Sequence, residues 1–208
     1  MGRAKRLGGD ERGFYHMALQ DEPVRSARPA PVNADVTVSV RRAVRADATE
    51  LAKLSQELLA FYGLPVRYQR SYMAHVIAER AFPSTPEQAP STEILIAFSG
   101  DAAVGFLAYS ESFAIANCLS TIFIQDLFVI RKARRLGVGR KLMVELARIC
   151  AAREVGQLDW TTDPWNSKAK TFYEDLGPLL SSDKVYYRMQ AAQISEIARW
   201  GEANESLA

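Results

Sequence analysis

The feature that most constrains the fold is a direct succession of strand, loop and helix within residues 122–153. Residues 120–130 are rich in β-branched and aromatic side chains, which is typical of a buried strand. Two glycines and six basic side chains follow in residues 131–141, so the loop leads straight into the helix N-terminus. The helix itself is predicted by apolar side chains that recur on one face up to about residue 154, namely Val138, Leu142, Leu146 and Ile149.

The loop before this helix has the properties of a binding site for linked phosphates. The N–H groups of a helix's first turn have no internal partner, and the helix dipole is positive there. Gly137 and Gly139 let a ligand approach this backbone without a Cβ in the way. Neither a Walker loop nor a dinucleotide fingerprint fits, because Arg140-Lys141-Leu142 stands where they need Lys-Ser/Thr or a third glycine. A solvated charged loop is the simplest alternative, and the lack of interleaved aromatic residues disfavours a nucleic-acid patch.

The rest of the chain predicts strands and helices that complete a single-layer α/β sheet. Residues 47–50 are similar to a capping box at the start of a helix, and Gly63 and Pro65 end it. Residues 99–101, Ser-Gly-Asp, are typical of a hairpin turn. Further strands are expected over residues 36–42, 93–98, 103–113, 157–162 and 184–190, with further helices over 47–62, 68–82, 166–176 and from 191 onward.

Length and composition fit one globular domain with additional residues at the ends. The chain has 208 residues, 48% of them hydrophobic, and a formal net charge of +2. This balance favours neither a nucleic-acid binder nor a membrane-surface protein, and no segment approaches the ~20 apolar residues of a membrane span. Cys118 and Cys150 cannot form a disulfide framework and are expected to be buried small hydrophobes. We expect a cytoplasmic location, with a flexible arm or tag over residues 1–35, a domain over 36–200 and a tail over 201–208.

Two blocks of the sequence are similar to the GCN5-related N-acetyltransferase (GNAT) superfamily. Arg134-x-x-Gly137-x-Gly139 matches its Arg/Gln-x-x-Gly-x-Gly/Ala signature, and residues 166–177 resemble its Asn-x-x-Ala-x-x-Phe-Tyr-x-x-x-Gly pattern. The resemblance extends over residues 36–190. It implies the acyl-coenzyme A N-acyltransferase fold, a single mixed and mostly antiparallel sheet flanked by helices. It also implies acetyl-coenzyme A as co-substrate, and no metal.

The same resemblance indicates which residues hold acetyl-coenzyme A. In this family the strand before the loop and the next strand splay apart, so backbone groups of the first strand pair with the pantetheine arm. The loop then binds the pyrophosphate. Asn166 is explained equally well as a helix N-cap. The implied cofactor-binding residues are Leu127, Phe128, Val129, Arg134, Arg135, Leu136, Gly137, Val138, Gly139, Arg140, Asn166, Lys168, Ala169 and Tyr173.

Tyr173 is the expected catalytic residue. Transfer of an acetyl group to an amine expels a coenzyme A thiolate, and a phenol within reach can protonate it. Family members carry a tyrosine at this position for that role. The adjacent Phe172 is expected in the core. Because both cysteines lie outside the two blocks, we expect direct attack in a ternary complex without an acyl-cysteine intermediate.

The general base that deprotonates the amine stays unassigned. A primary amine with a pKa of ~10 is almost wholly protonated at neutral pH. Residues 124–129 resemble the spermidine/spermine N-acetyltransferase branch, but Gln125 replaces the glutamate proposed as base there, and an amide cannot accept the proton. Strand alternation predicts Asp126 on the opposite face from Gln125. Asp126, Glu111 on the preceding strand and a water relay are the candidates, and an ordinary solvated side chain is the simplest interpretation of Glu111.

Several classes of acceptor amine fit the sequence. The two early helices form the acceptor side in this family, and Tyr62, Tyr68 and Tyr72 make it aromatic here, with Tyr62 a candidate substrate contact. An amino acid or a lysine-like compound is at least as compatible with such a surface as a polyamine. The branch resemblance also predicts a homodimer. The alternatives are a non-catalytic module that senses acetyl-coenzyme A or binds a partner, and a protein N-acetyltransferase.

Overall fold

The computed structural model of the chain contains one five-stranded sheet. It describes residues 37–83, 90–177, 179 and 187–205. Neighbouring strands are antiparallel except for the last pair, which is parallel, so the expected mixed and mostly antiparallel sheet is confirmed. The order in the sheet follows the chain: β1 (Val38–Arg42), β2 (Glu93–Ser99), β3 (Ala102–Ala114), β4 (Leu119–Val129) and β5 (Gln157–Trp160).

Helices flank both faces of this sheet. The first two lie together on one face, and the third covers the opposite face. The bounds are α1 (Ala48–Phe61), α2 (Arg70–Ala81), α3 (Val138–Ala152), α4 (Ser167–Glu174) and α5 (Ala191–Glu205), with 3-10 turns at Arg45–Asp47 and Arg131–Ala133.

Two apolar clusters form the core, one on each face of the sheet. Leu51 and Leu54 of α1 pack with Phe106 of β3, and Leu142 of α3 packs with Leu107 of the same strand. Neighbouring residues of β3 therefore serve opposite clusters, as the pleat of a strand requires. Each such buried side chain contributes about 1.5–3 kcal/mol to folding. The two clusters fix α1 and α3 on either side of the central strands.

A β-bulge interrupts β4 halfway along its length. Ala108 of β3 pairs with Asp126, whereas the next residue, Tyr109, pairs with Ile124. Gln125 is therefore one extra residue in β4, and the in-and-out alternation of side chains restarts after it. This bulge decides which side chains reach the open end of the sheet.

The pairing of β4 with β5 ends at the same place. The last pair joins Ile124 to Trp160, although β3 stays paired with β4 as far as Val129. The backbone edge of residues 125–129 that faces away from β3 has no strand of the described residues beside it. The splaying that the family resemblance implied is thereby confirmed.

The expected capping box at residues 47–50 is wrong. Helix α1 begins at Ala48, but no side chain caps it. The Asp47 carboxylate instead accepts hydrogen bonds from the Arg41 guanidinium at 2.6 and 2.7 Å and from the Val44 N–H at 2.7 Å. The Arg41 bond lowers the pKa of Asp47. Asp47 therefore ties the turn before α1 to β1.

Three smaller expectations also differ from the structure. The predicted strand over 184–190 is wrong for residues 187–190, which have no regular secondary structure, while residues 1–36, 184–186 and 206–208 lie outside the described residues. Residues 201–205 belong to α5 and not to a tail. Cys118 is exposed in the β3–β4 turn at φ +51°, and Cys150 is half-buried. Within the described ranges, no helix combines the length and the apolar character needed to cross a membrane.

Candidate active site

Helix α3 begins in a way that leaves its first amide groups free for a ligand. Gly137 precedes the helix at φ +77°, where glycine carries no Cβ penalty, and no side chain caps the helix. The first intrahelical bond runs from the Lys141 N–H to the Gly137 carbonyl at 2.9 Å. The N–H groups of Val138, Gly139 and Arg140 therefore have no helical partner. This arrangement fits a pyrophosphate, since the positive end of the helix dipole lies there too.

Gly139 makes room for α4. A Cβ on Gly139 would lie 3.2 Å from the Phe172 ring of α4. Phe172 also packs against the apolar cluster under α3, as the sequence predicted. The missing Cβ thus allows α4, which carries Tyr173, to lie against the start of α3, and the expectation that Gly139 also clears an approach for phosphates stays a prediction.

Three of the six basic side chains around this loop bind backbone carbonyls and so connect the loop with the rest of the fold. The Arg140 guanidinium donates to the carbonyl of Asp175 at 3.0 Å, and Lys141 Nζ donates to the carbonyl of Val38 at 2.7 Å. Arg135, at φ +65°, is exposed and makes no hydrogen bond or ion pair with any described residue. Among the basic loop residues that are predicted to contact the cofactor, Arg135 is therefore the one whose side chain is available to bind an anion.

Arg134 has a different position from the other arginines. Its Nε donates to the carbonyl of Val129 at 3.0 Å, and its guanidinium carbon lies 4.7 Å from the centre of the Phe61 ring. Phe61 is the last residue of α1, on the opposite face of the sheet from α3. Arg134 therefore connects the loop with α1.

The remaining predicted cofactor residues on β4 and the loop offer backbone groups, because their side chains are used in packing. Phe128 belongs to the α1 cluster, and the other four pack in or against the α3 cluster: Leu127, Val129, Leu136 and Val138.

Asn166 acts as the N-cap of α4. Its side-chain oxygen accepts a hydrogen bond from the Ala169 N–H at 3.2 Å, which confirms the N-cap interpretation. Lys168 lies exposed in the first turn. Cofactor contacts from Asn166, Lys168 and Ala169 stay predictions.

Tyr173 is half-buried on α4 between two aromatic rings. Its ring centre lies 5.2 Å from that of Trp160 and 5.2 Å from that of Phe172. Burial, with a smaller contribution from Tyr62, raises the pKa of Tyr173 to about 12. Its hydroxyl bonds to no described residue. The phenol is therefore protonated at neutral pH and has a hydrogen to donate.

Asp126 and Gln125 lie on the same face of the sheet, which corrects the prediction of opposite faces. The bulge explains the difference, because the alternation restarts after Gln125. Asp126 pairs with Ala108, a residue of the α1 cluster, and Gln125 Nε2 donates to Ser110, two residues along on the same face, at 2.8 Å. Burial of the carboxyl group raises the pKa of Asp126, although the residue as a whole is exposed, and no described lysine or arginine pairs with it.

Glu111 lies on the other face of the sheet, away from Asp126. Its carboxylate is 3.0 Å from Arg153, at the end of α3, and Arg153 also binds Glu93. Between the two carboxylate candidates for the base, the geometry favours Asp126.

Three aromatic side chains, Phe61, Tyr62 and Trp165, form a wall beside Asp126; we call them the acceptor wall. The ring centres lie 5.2 Å apart for Phe61–Tyr62, 5.8 Å for Tyr62–Trp165 and 6.2 Å for Phe61–Trp165. Burial raises the pKa of Tyr62, and the charges of Asp163 and then Asp126 raise it further. Both carboxylates are therefore close enough to act on the wall.

Sequence reasoning did not assign a role to Phe61, Asp163 or Trp165. Asp163 and Trp165 stand in the loop between β5 and α4, just before the matched Asn166 block, and only the fold brings this loop against the end of α1. Tyr68 and Tyr72 stack on each other, with ring centres 5.0 Å apart. No group of three or more His, Cys, Asp or Glu side chains in the described residues is arranged to hold a metal ion.

Solved structures share this fold with the chain. An integron cassette protein from the mobile metagenome of V. cholerae matches with a TM-score of 0.69 at 26% identity, over 78% of this chain and 98% of that chain. An aminoglycoside acetyltransferase from an uncultured soil metagenomic sample matches with a TM-score of 0.61 at 15% identity, over 74% of this chain and 95% of that chain. The sheet, the splayed strands and the uncapped helix start thus define an acyltransferase-type fold.

The chain belongs to the acetyltransferase (GNAT) family, whose model matches residues 51–177, more than half of its length. It is 29% identical over 73 residues to the L-ornithine N5-acetyltransferase NATA1 of Arabidopsis thaliana, and 34% identical over 92 residues to the D-amino-acid N-acetyltransferase HPA3 of Saccharomyces cerevisiae. The matches cover 35% and 43% of this chain, and 32% and 54% of those relatives. They do not single out the spermidine/spermine branch.

Proposed function

We propose that this protein transfers the acetyl group of acetyl-coenzyme A to a primary amine of a small molecule, in a ternary complex. The observation that carries the proposal is the uncapped start of α3 beside the free edge of β4, with Tyr173 and Asp126 near the same opening. Tyr62 connects the two groups, because it acts electrostatically on Tyr173 and is itself affected by Asp126. One opening thus offers phosphate-binding amides, a proton donor and a proton acceptor.

The residues that would hold acetyl-coenzyme A follow from these two backbone surfaces. The co-substrate supplies an activated acetyl thioester. The first-turn N–H groups of α3 and the Arg135 side chain would bind its pyrophosphate. The free edge of residues 125–129 would pair with the amides of its pantetheine arm. Asn166, Lys168 and Ala169 at the start of α4 would complete the site.

Asp126 would act as the general base. An amine with a pKa of ~10 must lose a proton before it can attack a thioester. The raised pKa of Asp126 makes it a better base than an ordinary aspartate, since catalytic efficiency increases as the pKa approaches the working pH. Gln125, held by Ser110, would orient the amine by hydrogen bonding and cannot take its proton.

Tyr173 would stabilise the departing thiolate. A thiol has a pKa of ~8.5, so complete proton transfer from a phenol with a pKa of about 12 would cost on the order of 5 kcal/mol. The main contribution of Tyr173 is therefore a hydrogen bond to the sulfur as negative charge develops there. The thiolate then takes up the proton that the attacking nitrogen loses as the tetrahedral intermediate collapses to the amide and the C–S bond breaks.

A cationic acceptor suits the opening best. Asp126 and Asp163 supply two carboxylates, and the faces of Tyr62 and Trp165 attract an ammonium group. The names of the two curated relatives refer to L-ornithine and D-amino acids, which are amines. We propose an amino acid, a lysine-like compound or a polyamine as acceptor. The predicted homodimer stays a prediction.

Release of coenzyme A in the presence of soluble amines tests the proposal. The panel contains amino acids, diamines, polyamines and aminoglycosides, with N-terminal peptides to represent the protein N-acetyltransferase alternative. We expect turnover with at least one small amine carrying a second positive charge. Acetyl-coenzyme A binding without turnover of any amine would support the sensing alternative, and no binding at all would refute the site.

A further inference from the structure

Arg134 joins two parts of the site that are separate in the sequence. Its Nε is fixed by the Val129 carbonyl at 3.0 Å, next to the edge proposed for pantetheine. Its guanidinium covers Phe61, with 4.7 Å from Cζ to the ring centre. Neither Nη atom bonds to any other described residue. The planar cation is therefore held by one bond and one ring.

Phe61 is the residue through which the acceptor wall meets the loop. Its ring contacts Tyr62 at 5.2 Å and Trp165 at 6.2 Å between ring centres. About 40% of Phe61 is exposed, so the core does not fix its ring on all sides. The guanidinium therefore contacts a partly exposed ring, and Tyr62 and Trp165 contact the same ring.

We propose that Arg134 is a positioning residue: it holds the acceptor wall through Phe61 from the cofactor loop and thereby sets the affinity for the acceptor amine. This inference rests on the proposed function. Arg134 acts here on the acceptor and not chiefly on the pyrophosphate, which distinguishes it from Arg135. A cation over an aromatic face at a partly exposed position changes an equilibrium by about three- to tenfold.

Two variants separate this role from direct phosphate binding. Arg134→Gln keeps an N–H donor for the Val129 carbonyl but removes the cation from Phe61. Phe61→Leu keeps an apolar side chain but removes the ring. Each is expected to raise the KM for the acceptor about three- to tenfold, with kcat and the Kd of acetyl-coenzyme A changed less than about twofold. The double variant should resemble the single ones, because both remove the same contact.

Arg135→Gln is the matched control on the same loop. It removes one positive charge without touching a ring, so it should weaken acetyl-coenzyme A and leave the acceptor KM unchanged. The proposal is overturned if Arg134→Gln weakens acetyl-coenzyme A as Arg135→Gln does while the acceptor KM stays constant. It is also overturned if the effects of Arg134→Gln and Phe61→Leu multiply in the double variant.

A second readout needs no turnover. In a Trp160→Phe, Trp200→Phe background, the fluorescence of Trp165 reports on the acceptor wall during a titration with coenzyme A. We expect a change with Arg134 present and none with Arg134→Gln, although calorimetry still detects binding. If the signal depends on Arg134 but no amine is acetylated, the positioning role stands and the proposed transfer fails. If amines are acetylated and the signal is the same in both proteins, the positioning role fails alone.

Discussion

Tyrosine and carboxylate side chains meet in two regions of the described part of the chain, and an arginine binds the carboxylate in only one of them. In the region under α3, the Tyr109 hydroxyl donates to Glu93 at 3.1 Å, and Arg153 binds the same carboxylate at 2.5 and 2.8 Å. The bond to Arg153 lowers the pKa of Glu93, and burial raises that of Tyr109 to about 12. Every charge in this region has a partner, so the network stabilises the fold and has nothing left to donate.

The region at the splayed end of β4 has the same residue types, but its arginine, Arg134, lies on the Phe61 ring and not on a carboxylate. Burial raises the pKa of both Asp126 and Tyr173, and neither group pairs with a basic side chain among the described residues. An aspartate in such surroundings holds a proton more readily, and a free phenol can donate one. The comparison teaches that an arginine, and not the acids themselves, separates a structural network from a reactive one.

Removal of the Asp126 carboxylate should have the largest effect on catalysis. Asp126→Asn keeps the shape but cannot accept a proton, so we expect kcat/KM to fall by about 10³-fold. In the unmodified protein, activity should decrease as the pH falls through the raised pKa of Asp126, above the ~3.9 of an ordinary aspartate. The variant should lack this acidic limb. An unchanged pH profile would exclude Asp126 as the base.

The same substitution should not cost stability. Because the pKa of Asp126 is raised in the folded state, the folded protein holds this proton more tightly than the unfolded chain. Stability from this group is present at low pH and is lost as the pH rises through the folded pKa. At neutral pH the charged carboxylate is a net cost, so Asp126→Asn should have an equal or higher Tm. A lower Tm would show that Asp126 has a structural partner.

Loss of the Tyr173 hydroxyl should have the next largest effect on catalysis. Tyr173→Phe keeps the ring between Trp160 and Phe172 and removes only the donor. We expect kcat to fall about 10²-fold, with the Kd of acetyl-coenzyme A changed less than about threefold. Tyr109→Phe is the matched control, because that hydroxyl already donates to Glu93. Equal kcat values for Tyr173→Phe and the unmodified protein would remove the acid role.

Removal of Arg153 from the network under α3 should lower stability and leave catalysis unchanged. Arg153→Met leaves Glu93 with the Tyr109 hydroxyl and a longer ion pair to Arg42 at 3.6 Å, which should lower the free energy of unfolding by about 1–3 kcal/mol. The lowered pKa of Glu93 means that its stabilisation is present above the ordinary ~4.3 and is lost as the pH falls. In the variant this loss of stability on acidification should be smaller, because Arg153 no longer lowers the pKa of Glu93. Activity per folded molecule should stay within about twofold of the unmodified value, and a larger drop would connect the two regions.

The sequence predicted most of the strands and helices, but only some of the residues in the two tyrosine–carboxylate regions. Helical periodicity located α3, and the glycine-containing loop indicated the uncapped start that we propose binds an anion, because both depend on residues close in the chain. The bulge at Gln125 was missed, since a single extra residue changes no local composition, and Asp126 was therefore assigned to the wrong face. Asp163 and Phe61 were missed because their proximity is created by the fold. Sequence patterns predict local structure, whereas the pairing of an arginine with one carboxylate and not another depends on the tertiary fold.

Substitution of Glu111 should have the smallest effect. This residue belongs to the network under α3, and the sequence analysis considered it as a general base. The Glu111 side chain is 36% exposed and contacts Arg153 at 3.0 Å, a pair that water screens. Glu111→Gln should therefore lower the free energy of unfolding by less than ~1 kcal/mol and leave kcat and its pH profile unchanged. Denaturant unfolding and turnover at several pH values measure both quantities. A fall in kcat comparable to that of Asp126→Asn would instead indicate Glu111 as the general base, because a carboxylate paired with Arg153 has no other reason to affect proton transfer.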